Sequence, residues 1–211
     1  MPTVTILTPK QRSDADTEVK RSRFLASLLP IIDESQLKQA QQQLKLQHPK
    51  ASHVCYGFRL INDKGFISEG FSDDGEPSGT SGPPILKVMQ HKHLANCGIL
   101  ITRYFGGTKL GTGGLQRAYG QAASEVIEAA ALNGFDAWQA RSTMTIACNF
   151  SDEAALRRLL NEMQADVTSE NYGTNGPELR VRTTVESLAL LDNSTLRRML
   201  NVTPDEEPDD N

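Results

Sequence analysis

Apolar and polar positions alternate with two periods along this 211-residue chain, and the change of period marks its elements. Residues 1–17 are polar and read as loose, and residues 18–29 (EVKRSRFLASLL) read as a strand carrying Lys20, Arg21 and Arg23. Asp33 with Gln36 gives a capping-box start to a helix whose narrow apolar stripe is Leu37, Ala40 and Leu44, and Pro49 ends it. Val54, Tyr56, Phe58 and Leu60 then alternate with His53, Cys55, Gly57 and Arg59. A turn at Asn62–Gly65 leads to a returning strand over Phe66–Phe71. A short helix spans 83–93 and ends in the basic cluster His91, Lys92, His93. The unbroken run Ile99-Leu100-Ile101 predicts a buried strand. Leu115, Ala118, Tyr119, Ala122, Val126, Ile127 and Ala130 recur at helical spacing, and Asn133-Gly134 closes that helix.

Near Trp138 the pattern restarts, which places a domain boundary near 137. Met144, Ile146, Cys148 and Phe150 form one face of a half-buried strand. Ser151 is the expected cap of a helix containing Leu156, Leu159, Leu160 and Met163. Residues 165–172 and 179–186 predict two further strands, with Leu179, Val181, Thr183 and Val185 inward, and a last helix spans about 187–200. This is β-α-β-β-α, a ferredoxin-like unit whose closing strand has only the very short Asn201–Pro204 to draw on. The expected organisation is α+β throughout: a domain over 1–137, a ferredoxin-like domain over 138–203, and a tail over 204–211 that is too acidic to pack.

Two stretches interrupt this grammar. In Thr102–Leu115, five glycines (Gly106, Gly107, Gly111, Gly113, Gly114) and Lys109 lie between the buried strand and the helix. Free backbone N–H groups and the helix dipole favour an anion there. The Walker A and dinucleotide patterns both fail, because Thr112-Gly113 stand where Lys-Ser/Thr would be and Gln116 stands where a glycine would be. A tight turn that uses glycine for positive φ is the alternative reading. Ser72–Pro84 (SDDGEPSGTSGPP) holds three carboxylates, Asp73, Asp74 and Glu76, among three glycines and three prolines. These carboxylates could ligate a metal or serve a hydrolase or transferase together with His53, Ser78 or Ser81. Their spacing matches neither an EF-hand nor a nucleophile elbow, and carboxylates in turns are mostly caps. The expectation is therefore no catalytic residue, no metal and no cofactor.

Charge narrows the partners. Residues 1–140 carry 15 Lys+Arg against 13 Asp+Glu, a net of +2, and residues 141–211 carry 7 against 13, a net of −6. Nucleic-acid binding would thus need a local patch. Three well-separated cysteines (Cys55, Cys97, Cys148) fit reduced thiols in the cytoplasm. No segment predicts a membrane span or a secretory leader.

GFSDDGEPSGTSGPPIL (Gly70–Leu86) and RYFGGTKLGTGGLQRAY (Arg103–Tyr119), with KRSRF (Lys20–Phe24) and HVCYGF (His53–Phe58), resemble the signature of the Impact family, in its bacterial YigZ-like branch. The resemblance implies an N-terminal ribosomal-protein-S5 domain-2-like α/β sandwich. It also implies a small ferredoxin-like domain similar to a C-terminal domain of elongation factor G. Eukaryotic relatives regulate translation under amino-acid starvation, so the resemblance implies a translation- or stress-linked regulator whose partner is RNA, the ribosome or a translation-related protein. The surface carried over by motif is Asp73, Asp74 and Glu76 with Arg103, Tyr104, Gly106, Gly107, Lys109, Gly111, Gly113 and Gly114. Arg117 is a further nearby cation and Phe105 a candidate for stacking.

Overall fold

The structure, a computed structural model, describes residues 5–194 and 200–204. The chain divides into two compact units, 1–138 and 139–211. In chain order the first holds β1 (Leu7–Pro9), β2 (Ser13–Val19), β3 (Ser22–Pro30), α1 (Glu34–Gln47), β4 (His53–Ile61) and β5 (Ile67–Ser72). It continues with α2 (Gly82–His91), β6 (Cys97–Tyr104), α3 (Thr112–Ala131) and β7 (Phe135–Ala137).

Strands β2-β3-β6-β4-β5 form one antiparallel sheet in that order, and β1 pairs with β7 separately. Central β6 is buried on both faces, which is why its sequence does not alternate. Cys97, Ile99 and Ile101 pack with Ile85 and Met89 of α2 and with Tyr119, Ala122 and Val126 of α3. On the opposite face Leu100 packs with Leu37 and Leu44 of α1 and with Val54, Tyr56 and Phe58. This sandwich is the ribosomal-protein-S5 domain-2-like α/β arrangement that the family resemblance implies.

The expected cap forms with a shifted return bond: Asp33 Oδ1 accepts from Gln36 N at 3.0 Å, and Gln36 Oε1 accepts from the N–H of Ile32, one residue before the N-cap, at 2.9 Å. The start of the chain departs from expectation. Residues 13–30 are not one strand after a loose segment but a tight hairpin, β2-β3, with Ser13 and Thr17 of β2 buried. Its turn is Lys20-Arg21, both left-handed (φ 48° and 66°), a geometry that hairpins usually give to Asn or Gly. Without those residues the turn carries no sequence mark. Arg23 pairs with Asp16 across the strands.

In the second unit the order is β8 (Arg141–Ala147), α4 (Glu153–Glu162), β9 (Asp166–Tyr172), β10 (Pro177–Thr184), α5 (Leu188–Asn193) and β11 (Asn201–Pro204). The sheet order β11-β8-β10-β9 is that of a ferredoxin-like unit, and the short closing strand does form, with Asn201–Pro204 in register with Ala147–Met144. Met144, Ile146, Leu156, Leu160, Leu179 and Val181 make the core. Phe150 and Val185, expected inward, are exposed because β8 stops at Ala147 and β10 at Thr184. Asp152, not Ser151, precedes α4. The end of the expected last helix (195–199) and most of the acidic tail (205–211) lie outside the described residues. No helix among the described residues is long and apolar enough to cross a membrane.

The β2-β3 turn rests on Gly106, where a Cβ would stand 2.0 Å from the Arg21 carbonyl carbon. Gly107 has open space in that direction but a φ of +83°. Gly106→Ala is therefore expected to cost about 1–3 kcal/mol through overpacking against backbone. Gly107→Ala is expected to cost about 1–2 kcal/mol from left-handed strain alone. Thermal melts of the two variants check the order, with Gly106→Ala the less stable.

Candidate functional site

The acidic loop folds between β5 and α2, and each of its carboxylates has an internal partner. Asp73 accepts from Gly79 N (2.7 Å), Ser81 N (3.0 Å), Ser81 Oγ (2.6 Å) and Gly82 N (2.8 Å). It thus caps α2 from eight residues upstream of Ser81, whose own side chain makes no cap bond. Burial pushes the Asp73 pKa up, but the Ser81 hydroxyl and the three N–H groups outweigh it and hold the carboxyl below its usual range. Asp74 accepts from Val54 N at 2.8 Å and pairs with Lys45 of α1. The Asp74 carbonyl accepts from His53 Nδ1 at 2.8 Å, which fixes the proton on that nitrogen.

Glu76 is the most enclosed of the three, with its side chain 2% exposed. Its Oε1 accepts from Arg103 Nη1 at 2.6 Å and from the Tyr119 hydroxyl at 2.8 Å, and its Oε2 lies 3.9 Å from His53 Nε2. The Cys55 thiol donates to the Asp73 carbonyl and touches the Tyr119 hydroxyl at 3.4 Å, and burial pushes its pKa up to about 12. The thiol is therefore protonated at neutral pH and not a ready nucleophile. The three carboxylates fasten the loop to α2, α1 and β6 respectively instead of converging on one point. Among the described residues no group of three or more His, Cys, Asp or Glu is placed to hold a metal.

Two residues carried over as anion ligands are used differently. Arg103 is buried, paired with Glu76, and stacked between the Phe24 and Phe105 rings at 5.7 and 5.8 Å. Its charge is spent inside the fold. Tyr104 points to the α1 face, where its hydroxyl meets His48 Nδ1 at 2.8 Å, so its ring cannot stack on a ligand at the glycine loop. Gly106 likewise serves packing, with its N–H donating to Ser22 Oγ at 3.1 Å.

The rest of the loop opens to solvent. Gly107 and Gly111 take left-handed φ (+83° and +71°) with nothing within 4 Å of where a Cβ would sit, and Lys109 is exposed. Gly111 is the N-cap of α3, and the first helical bond is Leu115 N to Gly111 O. The N–H groups of Thr112, Gly113 and Gly114 therefore precede the first helical bond, and no side-chain cap and no acidic residue in the first turn answers them. Arg117 folds back over this end, with Nη1 3.5 Å from where a Gly113 Cβ would be. The other long helices follow the dipole rule: α1 has Asp33 and Glu34 at its start and Lys45 near its end, α2 has Asp73, and α4 has Glu153. In α3 no acid stands in the first turn and no base in the last, and the charges nearest its start are Lys109 and Arg117.

The two loops meet. Gln116 Nε2 donates to Gly79 O at 3.3 Å, and the Arg103–Glu76 pair joins them underneath. From this junction a groove of about 580 Å³ runs between α2 and α3. Half-buried Pro83, Val88 and Gly120 form its floor, exposed Lys87, His91, Lys92 and Arg117 its rim, and no carboxylate among the described residues lines it. Sequence reading saw His91-Lys92 as a basic cluster but missed Lys87 and Gln116. The signal was the stripe Gly113, Arg117, Gly120, Ser124 at intervals of four, three and four, a helix face without core residues.

Residues 20–127 match the Impact N-terminal domain. The IMPACT family member YvyE of Bacillus subtilis is 36% identical over 157 residues, 74% of this chain and 69% of that protein. An IMPACT family member of Haemophilus influenzae is 30% identical over 80% of this chain and 81% of its own length. The crystal structure of a hypothetical protein superposes with a TM-score of 0.71 at 26% identity, over 97% of this chain and 99% of that one. The match covers both signature loops and the strands that carry them: the chain belongs to the IMPACT family.

Proposed function

We propose that the N-terminal unit is a non-catalytic binding module that holds a phosphate-bearing ligand, RNA or the ribosome, at the N-terminus of α3, as part of a translation-linked regulatory role. One observation carries this reading. Positive charge is gathered near the positive end of α3: uncapped N–H groups, Lys109 just before, Arg117 beside Gly113, and no acid in the first turn. Folding alone favours the reverse, since an anion at that end is worth about 0.3–1 kcal/mol. Local rules broken without compensation inside the fold point to a ligand that supplies the missing charge. Membership in a family whose eukaryotic members regulate translation connects that ligand with translation. The acidic-loop alternative, a hydrolase or transferase using Asp73, Asp74 and Glu76 with His53, gains no support from carboxylates already engaged as cap, strut and buried ion pair.

The reading makes stability and binding move in opposite directions. Thr112→Asp places a carboxylate at the α3 N-terminus and is expected to raise the melting midpoint by about 1–4 °C. The same change is expected to weaken ligand binding. Sedimentation with ribosomes and with total RNA, at low and moderate salt, tests this beside Lys109→Glu, an exposed charge reversal outside the core. Salt-sensitive co-sedimentation of the wild type, lost in both variants, is the expected result. Binding retained in both, or insensitive to salt, would sink it.

A further inference from the structure

We propose that the groove between α2 and α3 is the track of a single-stranded RNA, one of whose phosphates occupies the α3 N-terminus; this rests on the reading of that end as a phosphate site. The two helices lie side by side with their N-termini at the same end. Gly79, just before α2, touches Gln116 in the second turn of α3, and His91 and Lys92 at the far end of α2 share the groove with Ser124. The wall from Gly113 to Ser124 is about 16 Å long at about 1.5 Å rise per residue. A stacked strand advances about 3.4 Å per nucleotide, so several nucleotides fit along it.

Charge placement selects an extended polyanion over a compact one. Lys87 and Lys92 stand on the α2 wall and Arg117 on the α3 wall, spread along the groove instead of converging on one point. With cations on both walls, an occupant is gripped from two directions, which suits a single strand lying in the groove. The apolar floor of Pro83 and Val88 offers faces for bases or sugars but no pattern of donors and acceptors to tell bases apart, so recognition is tolerant of sequence. Ser124 Oγ donates to Gly120 O at 3.0 Å, which leaves its lone pairs to accept from a 2′-hydroxyl, the group that distinguishes RNA from DNA.

The test is fluorescence anisotropy on the full chain with a mixed-sequence RNA trinucleotide and dodecamer, the dodecamer as duplex, and the same dodecamer as DNA. The wild type is compared with Lys109→Glu and with the double variant Lys87→Glu/Lys92→Glu; Lys87→Gln/Lys92→Gln serves as a milder version of the latter. Single-stranded RNA dodecamer is expected to bind more tightly than the trinucleotide, the duplex or the DNA. The groove double variant is expected to lose about tenfold on the dodecamer and little on the trinucleotide, with the salt slope falling by about 0.7 per lost phosphate contact. Groove variants that bind the dodecamer like wild type while Lys109→Glu loses it would overturn the track and leave the phosphate site standing. Failure of the wild type to bind any oligonucleotide would overturn the track, while the phosphate site itself stands or falls by the sedimentation with ribosomes and total RNA. Equal affinity for duplex or DNA, or displacement of the RNA by polyglutamate, a binding mode that ignores sugar and phosphate alike, would overturn the assignment to single-stranded RNA.

Discussion

The Glu76 carboxylate is the fixed point of the N-terminal unit. It belongs to the acidic loop, yet its partners are the guanidinium of central β6 and a hydroxyl from the second turn of α3. One buried group thus ties together a loop, a sheet and a helix separated by 27 and 43 positions in the chain. Such a pair is weak evidence of net stabilisation, because the desolvation of both charges offsets their attraction. Its value lies in exclusivity: removing either partner would leave a bare charge in the core, at about 3–5 kcal/mol. The loop has one place to go. The turn at Gly79 is thereby set against Gln116, and the groove beside it exists because that junction is held.

The two helices that wall the groove solve the same problem in opposite ways. The N-terminus of α2 is filled by Asp73 with three backbone N–H bonds and a hydroxyl bond. The N-terminus of α3 has the same kind of donors and a glycine where a capping side chain would be. For the anion proposed above, donors already held in the first turn of α3 would need little rearrangement, and binding strength gains from such preorganisation. Without that anion the start of α3 lacks the carboxylate that α1, α2 and α4 have at theirs.

Much of the architecture was legible from pattern. β6 and α3 follow from an apolar run and a helical stripe, and α1 from a capping box in which donor and acceptor are three residues apart. What pattern could not supply were features set by distant backbone. The β2-β3 hairpin turns on Lys20-Arg21, residues with no turn preference, because Gly106 lets the turn pack against it. Arg103 and Tyr104 share a motif, but adjacent strand positions point to opposite faces, so one meets Glu76 and the other His48. Motif membership does not say which residues are exposed and which hold the region together. The ferredoxin-like unit was readable except for its short closing strand, which the sequence left open, and strand ends slipped by two or three positions at Phe150 and Val185, where exposure decides and periodicity does not.

Cys55 gives this arrangement an internal gauge. Its thiol sits beneath the acidic loop, donates to the Asp73 carbonyl, and is kept protonated by burial. While the loop is seated, a thiol reagent finds neither access nor a thiolate. Alkylation must wait for the loop to lift from the sheet, so its rate reports the population of that opened state. A bound ligand that bridges the two loops would slow the reaction without touching the sulfur, and the chain would thereby register occupancy through chemistry at a residue that takes no part in binding.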